Sequence, residues 1–417
     1  MILSSLQKST SVWIAVLLAL LLPAFASATT TFLEPGGDAD FNITLWTSTL
    51  AQTVVSDIVH GTHKRSLRGV PGVRSRVQKN NACSDAGTRV SFYIYLVALP
   101  NATVPVYMTN SGLGSPTFGD HTRIQISSTG VLSLRYSGSN IGSNGPTLNT
   151  GRWYRISLAY TIDSTTVNRF EAFVDGVSAV SVTNATLDAV GGVHCRFTTN
   201  DNTNATIDNR YSDIYVDNSS SLTDPGNIWV TAKRPNANGT TNDFVTQVGS
   251  GGSGYGTGHS PQVNERAISE TNGWSVVATG VTTEEYNIEN RETGDINIGP
   301  ATATIIDYMG WIRAKSLTTE TVSIILNNVT TASSTTSTPK TFLAFAGSAT
   351  YPAGTGTDIG MVTDATETTV TLYEAGVVVA YINDVATSAR AIRLIGRVRL
   401  LGGVRLLLNE FGLLHFV

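Results

Sequence analysis

Charge is scarce in this chain of 417 residues, where Asp, Glu, Lys and Arg together make up 14%. Its 27 Lys and Arg face 31 Asp and Glu, giving a formal net charge of −4. No overall basic surplus exists to neutralise a phosphate backbone, so nucleic acid is not an expected partner. Cysteine is rarer still: Cys83 and Cys195 stand alone, outside any CxxC or Cys/His cluster, which argues against a zinc site of the usual spacing. Helical periodicity is missing from residues 29–220. Gly-x-Ser-x-Gly is absent, and the glycines of "GGSGYGTGHS" (251–260) lack the Lys-Ser/Thr that a phosphate cradle needs, so this stretch, His259 included, reads as a flexible loop.

What is there instead is Thr, Ser, Asn, Gly and Val. Thr and Val suit pleated, half-buried surfaces, while Gly and Asn suit turns. The expected fold class is all-β. The N-terminus has its own logic: Lys8, the apolar "VWIAVLLALLL" and the small residues Ala26, Ser27 and Ala28 form a secretory signal layout, with cleavage expected after Ala28. The apolar run is too short to span a bilayer comfortably. Export places Cys83 and Cys195 where they could pair, although spacing alone does not bring their Cα atoms together.

Short alternating segments follow. "RVSFYIYLVAL" (89–99) reads as a core strand, and "TRIQISS" with "VLSLRYS" as a hairpin (122–137). In "RWYRISLAY", Tyr154, Ile156, Leu158 and Tyr160 share one face, with Arg155, Ser157 and Ala159 on the other. "RFEAFVDGVSAVSV" is a second hairpin turning at Asp175-Gly176, and "RYSDIYVDN" closes the series. Trp153 opening a strand, the "VDG" turn and the "DIYVDN" strand together resemble the laminin-G-like, concanavalin A-like jelly-roll superfamily over about residues 30–220. "SDIVHGTHKRSLR" (56–68) is similar to the first inner strand of those modules. That resemblance implies a lectin-like sandwich in which Trp153 and the turn are scaffold parts.

Residues 211–244 are similar to the joint that leads, in phage-type and environmental surface proteins, into a second β-domain. "NGWSVVA", "ATIIDYMGWIRA", "TVSIILNN", "KTFLAFAG" and "VTLYEAGVVVAYI" are its candidate strands. The organisation expected is therefore a signal peptide (1–28), a concanavalin A-like jelly-roll sandwich (29–225), a second antiparallel β-sandwich (226–385) and a Leu/Arg-rich tail (386–417). In the tail the arginines suggest a basic membrane-surface helix, but Gly396, Gly402 and Gly403 weaken it, so the segment reads as a poorly ordered or atypical terminus and membrane contact is not expected.

Candidate chemistry is thin. Jelly-roll glycosidases need paired carboxylates, and no Glu-x-Asp-x-x-Glu run occurs. Glu284, Glu285, Glu289 and Glu292 cluster in a polar stretch that reads as a solvated loop. His60 and His63, at i and i+3 on a strand, would face opposite ways and form no metal pair; His121 and His194 are isolated. For calcium, Asp38 and Asp40 are the candidates, since Asp213 and Asp217 on a regular strand would lie too far apart for one ion. Trp153 is the candidate for stacking on a sugar ring, set against a packing role. Seven Asn-x-Ser/Thr sequons read as products of composition. The reading reached is an exported, non-enzymatic protein recognising a glycan or a surface protein without a cofactor. The rivals are a virion or tail-associated structural protein and a glycan-cleaving hydrolase.

Overall fold

The structure is a computed structural model. It describes most of residues 30–34, 46–110, 122–162, 168–185, 194–200 and 207–233, and beyond these the backbone of strands between residues 235 and 408. The expected signal segment, with Ala26 and Ala28, and the calcium candidates Asp38 and Asp40 lie outside the described residues, as do His121 and His259.

Among the described residues the chain is all-β, without a helix. The first strands are β1 (Thr30–Glu34), β2 (Ser48–Leu50), β3 (Gln52–Val55), β4 (Ser66–Gly69), β5 (Ser75–Lys79), β6 (Gly87–Ala98), β7 (Val104–Asn110) and β8 (Arg123–Ile126). There follow β9 (Leu132–Tyr136), β10 (Ser139–Ile141), β11 (Trp153–Ile162), β12 (Asn168–Val174), β13 (Val177–Ala185), β14 (His194–Asn200), β15 (Asp208–Asp217) and β16 (Ile228–Lys233). They build two antiparallel sheets. Sheet I runs β13-β12-β11-β6-β15-β4-β3, with β1 on β15; sheet II runs β10-β9-β8-β7-β14-β5-β2.

Alternation on the central strands decides which face is buried. Val90, Phe92, Ile94 and Leu96 of β6 stand beside Tyr154, Ile156, Leu158 and Tyr160 of β11, all within the core. Sheet II answers with Val77, Tyr107, Ile124, Leu134 and Phe197. Phe92 and Phe197 meet edge-on, ring centroids 5.2 Å apart, at the middle of the sandwich. Asp175 and Gly176 take φ of 52° and 83°, the paired left-handed geometry of a two-residue hairpin turn. Asp175 completes that turn by accepting the Arg155 N–H and the Arg152 guanidinium, each at 2.8 Å. Cys83 and Cys195 form a disulfide, Cα atoms 5.6 Å apart, which ties the turn before β6 to the inner face of sheet II.

Past β16 lie two more sheets. One joins β16 to the strands Val370–Asn383, Ala303–Lys315, Gly273–Val276, Thr246–Val248 and Thr357–Met361. The other joins Pro235–Asn242, Thr282–Ile288, Leu394–Leu401, Val404–Leu408, Glu320–Asn328, Ser333–Thr336 and Lys340–Phe342. Two expectations change here. The Leu/Arg-rich tail, read as a poorly ordered or atypical terminus, pairs as strands at residues 394–401 and 404–408; alternating Leu and Arg over short runs carry a period of two as readily as an amphipathic helix. Glu284 and Glu285 lie on the strand Thr282–Ile288 and not in a loop.

Phe92, wholly buried at the sheet–sheet contact, sets the first test. Phe92→Ala should lower unfolding free energy by about 3–5 kcal/mol. Denaturant titration of the two proteins measures it, and a loss under about 1 kcal/mol would mean the sheets are not packed as described.

Candidate functional site

Two polar constellations stand out, one on the outer face of each sheet. On sheet II the strand registers align a continuous row: Gln78 opposite Arg196, Arg196 opposite Met108, Met108 opposite Arg123, Arg123 opposite Arg135 and Arg135 opposite Asn140. Directly opposed residues share a face, and this one points away from the core that Val77, Phe197, Tyr107, Ile124 and Leu134 enter. Two residues along, Arg76, Gln125 and Ser133 extend the same surface.

Its charge is one-sided. The seven strands of sheet II carry Arg76, Lys79, Arg123, Arg135 and Arg196 and not one Asp or Glu. The row is also sheltered: Arg123 is 7% exposed and Arg196 5%, although both face away from the core. Amides hold it in place. The Arg196 guanidinium donates from Nε and Nη2 to Gln78 Oε1 at 3.0 and 2.6 Å, and Gln78 Nε2 in turn donates to Asn80 Oδ1. Gln125 Nε2 donates to Ser133 Oγ and to Asn140 Oδ1. His194 begins β14 beside the row, where burial first and the Arg196 charge second push its pKa below the ordinary imidazole value. Its Nδ1 accepts the Asn81 N–H at 3.2 Å, so the neutral ring carries its proton on Nε2 and acts there as a donor.

The second constellation belongs to sheet I. Bends at residues 56–58 and 60 and a turn at 61 follow β3 in place of the strand expected there, so His60 and His63 converge instead of diverging. Both meet Asp213: His60 Nδ1 lies 2.7 Å from Oδ2 and His63 Nε2 lies 2.8 Å from Oδ1. Asp213 also leaves its expected place. A bulge between Ser212 and Tyr215 breaks the register with β6, and Asp213 takes φ of 51°, which swings its carboxylate out of line with Asp217. Asp217 is engaged separately, by the Arg89 guanidinium and the Tyr215 hydroxyl.

The carboxylate of Asp213 accepts two further bonds, from Ser212 Oγ at 2.9 Å and from the Val230 N–H at 2.8 Å. Burial would raise its pKa, but the positive field of His63 and the hydrogen bonds from both histidines outweigh that and hold it far below the usual carboxylate range. His60 packs against both Tyr93 and Trp229, ring centroids 3.7 and 4.5 Å away. Gly61 makes this possible: it adopts φ of +56°, and a Cβ there would sit 2.4 Å from the Trp229 ring. Trp153 serves the same loop, its Nε1 donating to the Val59 carbonyl at 3.0 Å while its ring lies edge-on to Tyr95. The tryptophan weighed as a sugar platform or core cover thus stands on the outer face and fastens the histidine loop.

The segment from Asn218 to Trp229 is anchored on this face as well. Arg155 binds Asp224 through both guanidinium nitrogens at 2.7 Å and donates to the Gly226 carbonyl at 2.6 Å. The sequence pattern around Arg123 and Arg135 did contain a signal for the first constellation, since both fall on the polar parity of their hairpin. For the second, the sequence offered His60, His63 and Asp213 only as separate candidates, set apart by the assumption of regular strands.

A scan against protein-family models finds no match, and neither does a search of curated proteins. Among solved structures the chain is similar to an endo-β-1,4-glucuronan lyase from the fungus Trichoderma reesei, at 17% identity and a TM-score of 0.36 over 47% of this chain and 99% of that one. It is also similar to a carbohydrate esterase from the Shiga toxin-encoding bacteriophage phi24B, at 16% identity and 0.34 over 46% and 100%. The alginate lyase Aly36B gives 12% identity and 0.35 over 48% and 100%. These neighbours are all-β sandwich proteins that act on carbohydrates. They correct the expectation of a non-enzymatic recognition module, while at such identities they decide no particular reaction.

Two measurements test the geometry. Asp213→Asn should cost about 3 kcal/mol or more, because two buried imidazoles lose their shared anion; chemical denaturation reads it. His194, with a folded pKa below its unfolded value of about 6.5, contributes least at low pH. The stability of the native protein relative to His194→Gln should therefore fall as pH drops from about 7 to about 5, and a flat difference would contradict the assignment.

Proposed function

We propose that the protein is a glycan-cleaving enzyme for an acidic polysaccharide, which binds across the arginine row of sheet II. One observation carries this: all the charged side chains on the strands of that sheet are cations, on a chain whose net charge is negative. Guanidinium groups flanked by amides match carboxylate-bearing sugars in geometry as well as charge. The successive cross-strand spacing of roughly 5 Å spreads them along a line, as an extended polymer requires.

The same surface favours elimination over hydrolysis. Acid–base hydrolysis needs two carboxylates facing the scissile bond, and these strands offer none. Elimination needs the substrate's own carboxylate neutralised so that the proton on the adjacent carbon becomes acidic. A water molecule accepts that proton as the C–H electron pair becomes the C=C bond and the C–O bond one carbon further on breaks. The departing oxygen takes up a proton from solvent, which leaves an unsaturated sugar on one fragment and a hydroxyl on the other with no net consumption of water. Arg123, Arg135 and Arg196 would neutralise charge, and His194 would donate a hydrogen bond through Nε2.

We read the first sandwich as being of the laminin-G-like, concanavalin A-like kind, and the chain as exported, where acidic polysaccharides are met. Incubation with a panel of acidic and neutral polysaccharides, followed by ultraviolet absorbance of unsaturated ends, tests the activity. Cleavage confined to acidic polymers is expected, with Arg123→Gln lowering kcat/KM at least tenfold, about 1.4 kcal/mol. No cleavage of any acidic polymer, or an unchanged rate in Arg123→Gln, would overturn the reading.

A further inference from the structure

We propose that His60, His63 and Asp213 form a binding site for one divalent transition-metal ion of the zinc class, placed where the first sandwich meets β16. The three residues are buried, and their candidate ligand atoms all lie within 4.8 Å of one another. Two imidazole nitrogens with one carboxylate oxygen form a donor set that suits zinc, cobalt or nickel and does not suit calcium or magnesium, which prefer oxygen.

The site is built before any ion arrives. Ser212 Oγ and the Val230 N–H orient the carboxylate from behind, the kind of outer support that ligating carboxylates use. Tyr93 and Trp229 both pack against the His60 ring and hold its plane. The loop that carries both histidines is pinned at three further points. Trp153 binds the Val59 carbonyl, Ser66 Oγ binds the Ile58 carbonyl at 2.6 Å, and Arg210 holds Asp57.

The nitrogens now sit 2.7 and 2.8 Å from the carboxylate oxygens. Bonds of about 2.0–2.2 Å to a tetrahedral ion would set such donors a little over 3 Å apart. The N···O pairs would open by a few tenths of an ångström, and ligand atoms now spread over up to 4.8 Å would draw together by more than about 1 Å, a rearrangement made through side-chain torsions. Each ligating nitrogen gives up its proton to the other ring nitrogen or to solvent, and the ion then replaces the two N–H···O bonds. Three protein ligands leave a fourth position for water. Because Asp213 also holds the Val230 N–H, the ion would clamp the start of β16, a role that does not depend on the glycan reading.

The test uses the full chain without a histidine tag, stripped with chelator and titrated with cobalt(II) and zinc(II). One equivalent of cobalt per chain with the visible spectrum of a tetrahedral site, displaced by zinc, is expected, together with quenching of tryptophan emission through Trp229 when nickel(II) or copper(II) is used. His63→Ala should weaken zinc binding at least tenfold. If that variant fails to fold, His63→Gln, which keeps a polar group at the position, takes its place and should show the same loss. Absence of stoichiometric binding by the folded native protein, or binding that survives both substitutions, would overturn the proposal, whatever the outcome of the polysaccharide assay.

Discussion

Everything described in the first half of the chain depends on two sheets each giving one apolar face to the other. Once Phe92, Ile94, Ile156 and Leu158 from sheet I meet Tyr107, Ile124 and Phe197 from sheet II, every intervening residue is turned outward. The period of two then does more than make a core, because it sorts the polar residues into two outer faces of different character. Sheet I receives acids and bases together, and they pair: Arg89 with Asp217, Arg155 with Asp224, Arg210 with Asp57. Sheet II receives only bases.

This sorting explains what bulk composition hides. A net charge of −4 averages over surfaces that the fold keeps apart, and a sparse set of cations becomes a dense one when registers line up Arg196, Arg123 and Arg135. A catalytic carboxylate-pair motif lies along a single strand. The arginine row runs across strands far apart in sequence, so no local motif contains it.

The strands themselves were legible. Tyr154 to Tyr160 alternate as read and Asp175-Gly176 turns the hairpin as read; the same rule, applied to the 122–137 hairpin, would have set Arg123 and Arg135 on its polar face. What escaped was irregular backbone. Gly61 in the left-handed region and the bulge at Asp213 redirect three side chains toward one point, and neither departure has a strict signature in residue type. The sequence pattern assumed regular strands at both places, which is why His60 was set against His63 and Asp213 beside Asp217.

The stacking of Trp229 on His60 has a consequence for where the first module ends. A fragment stopping at Pro225 would keep the histidine loop and the bulged aspartate, yet strip away the indole that covers one and the Val230 amide that steadies the other. The contacts of the histidine loop thus reach the opening residues of β16, inside a strand whose hydrogen bonds already belong to the neighbouring sheet.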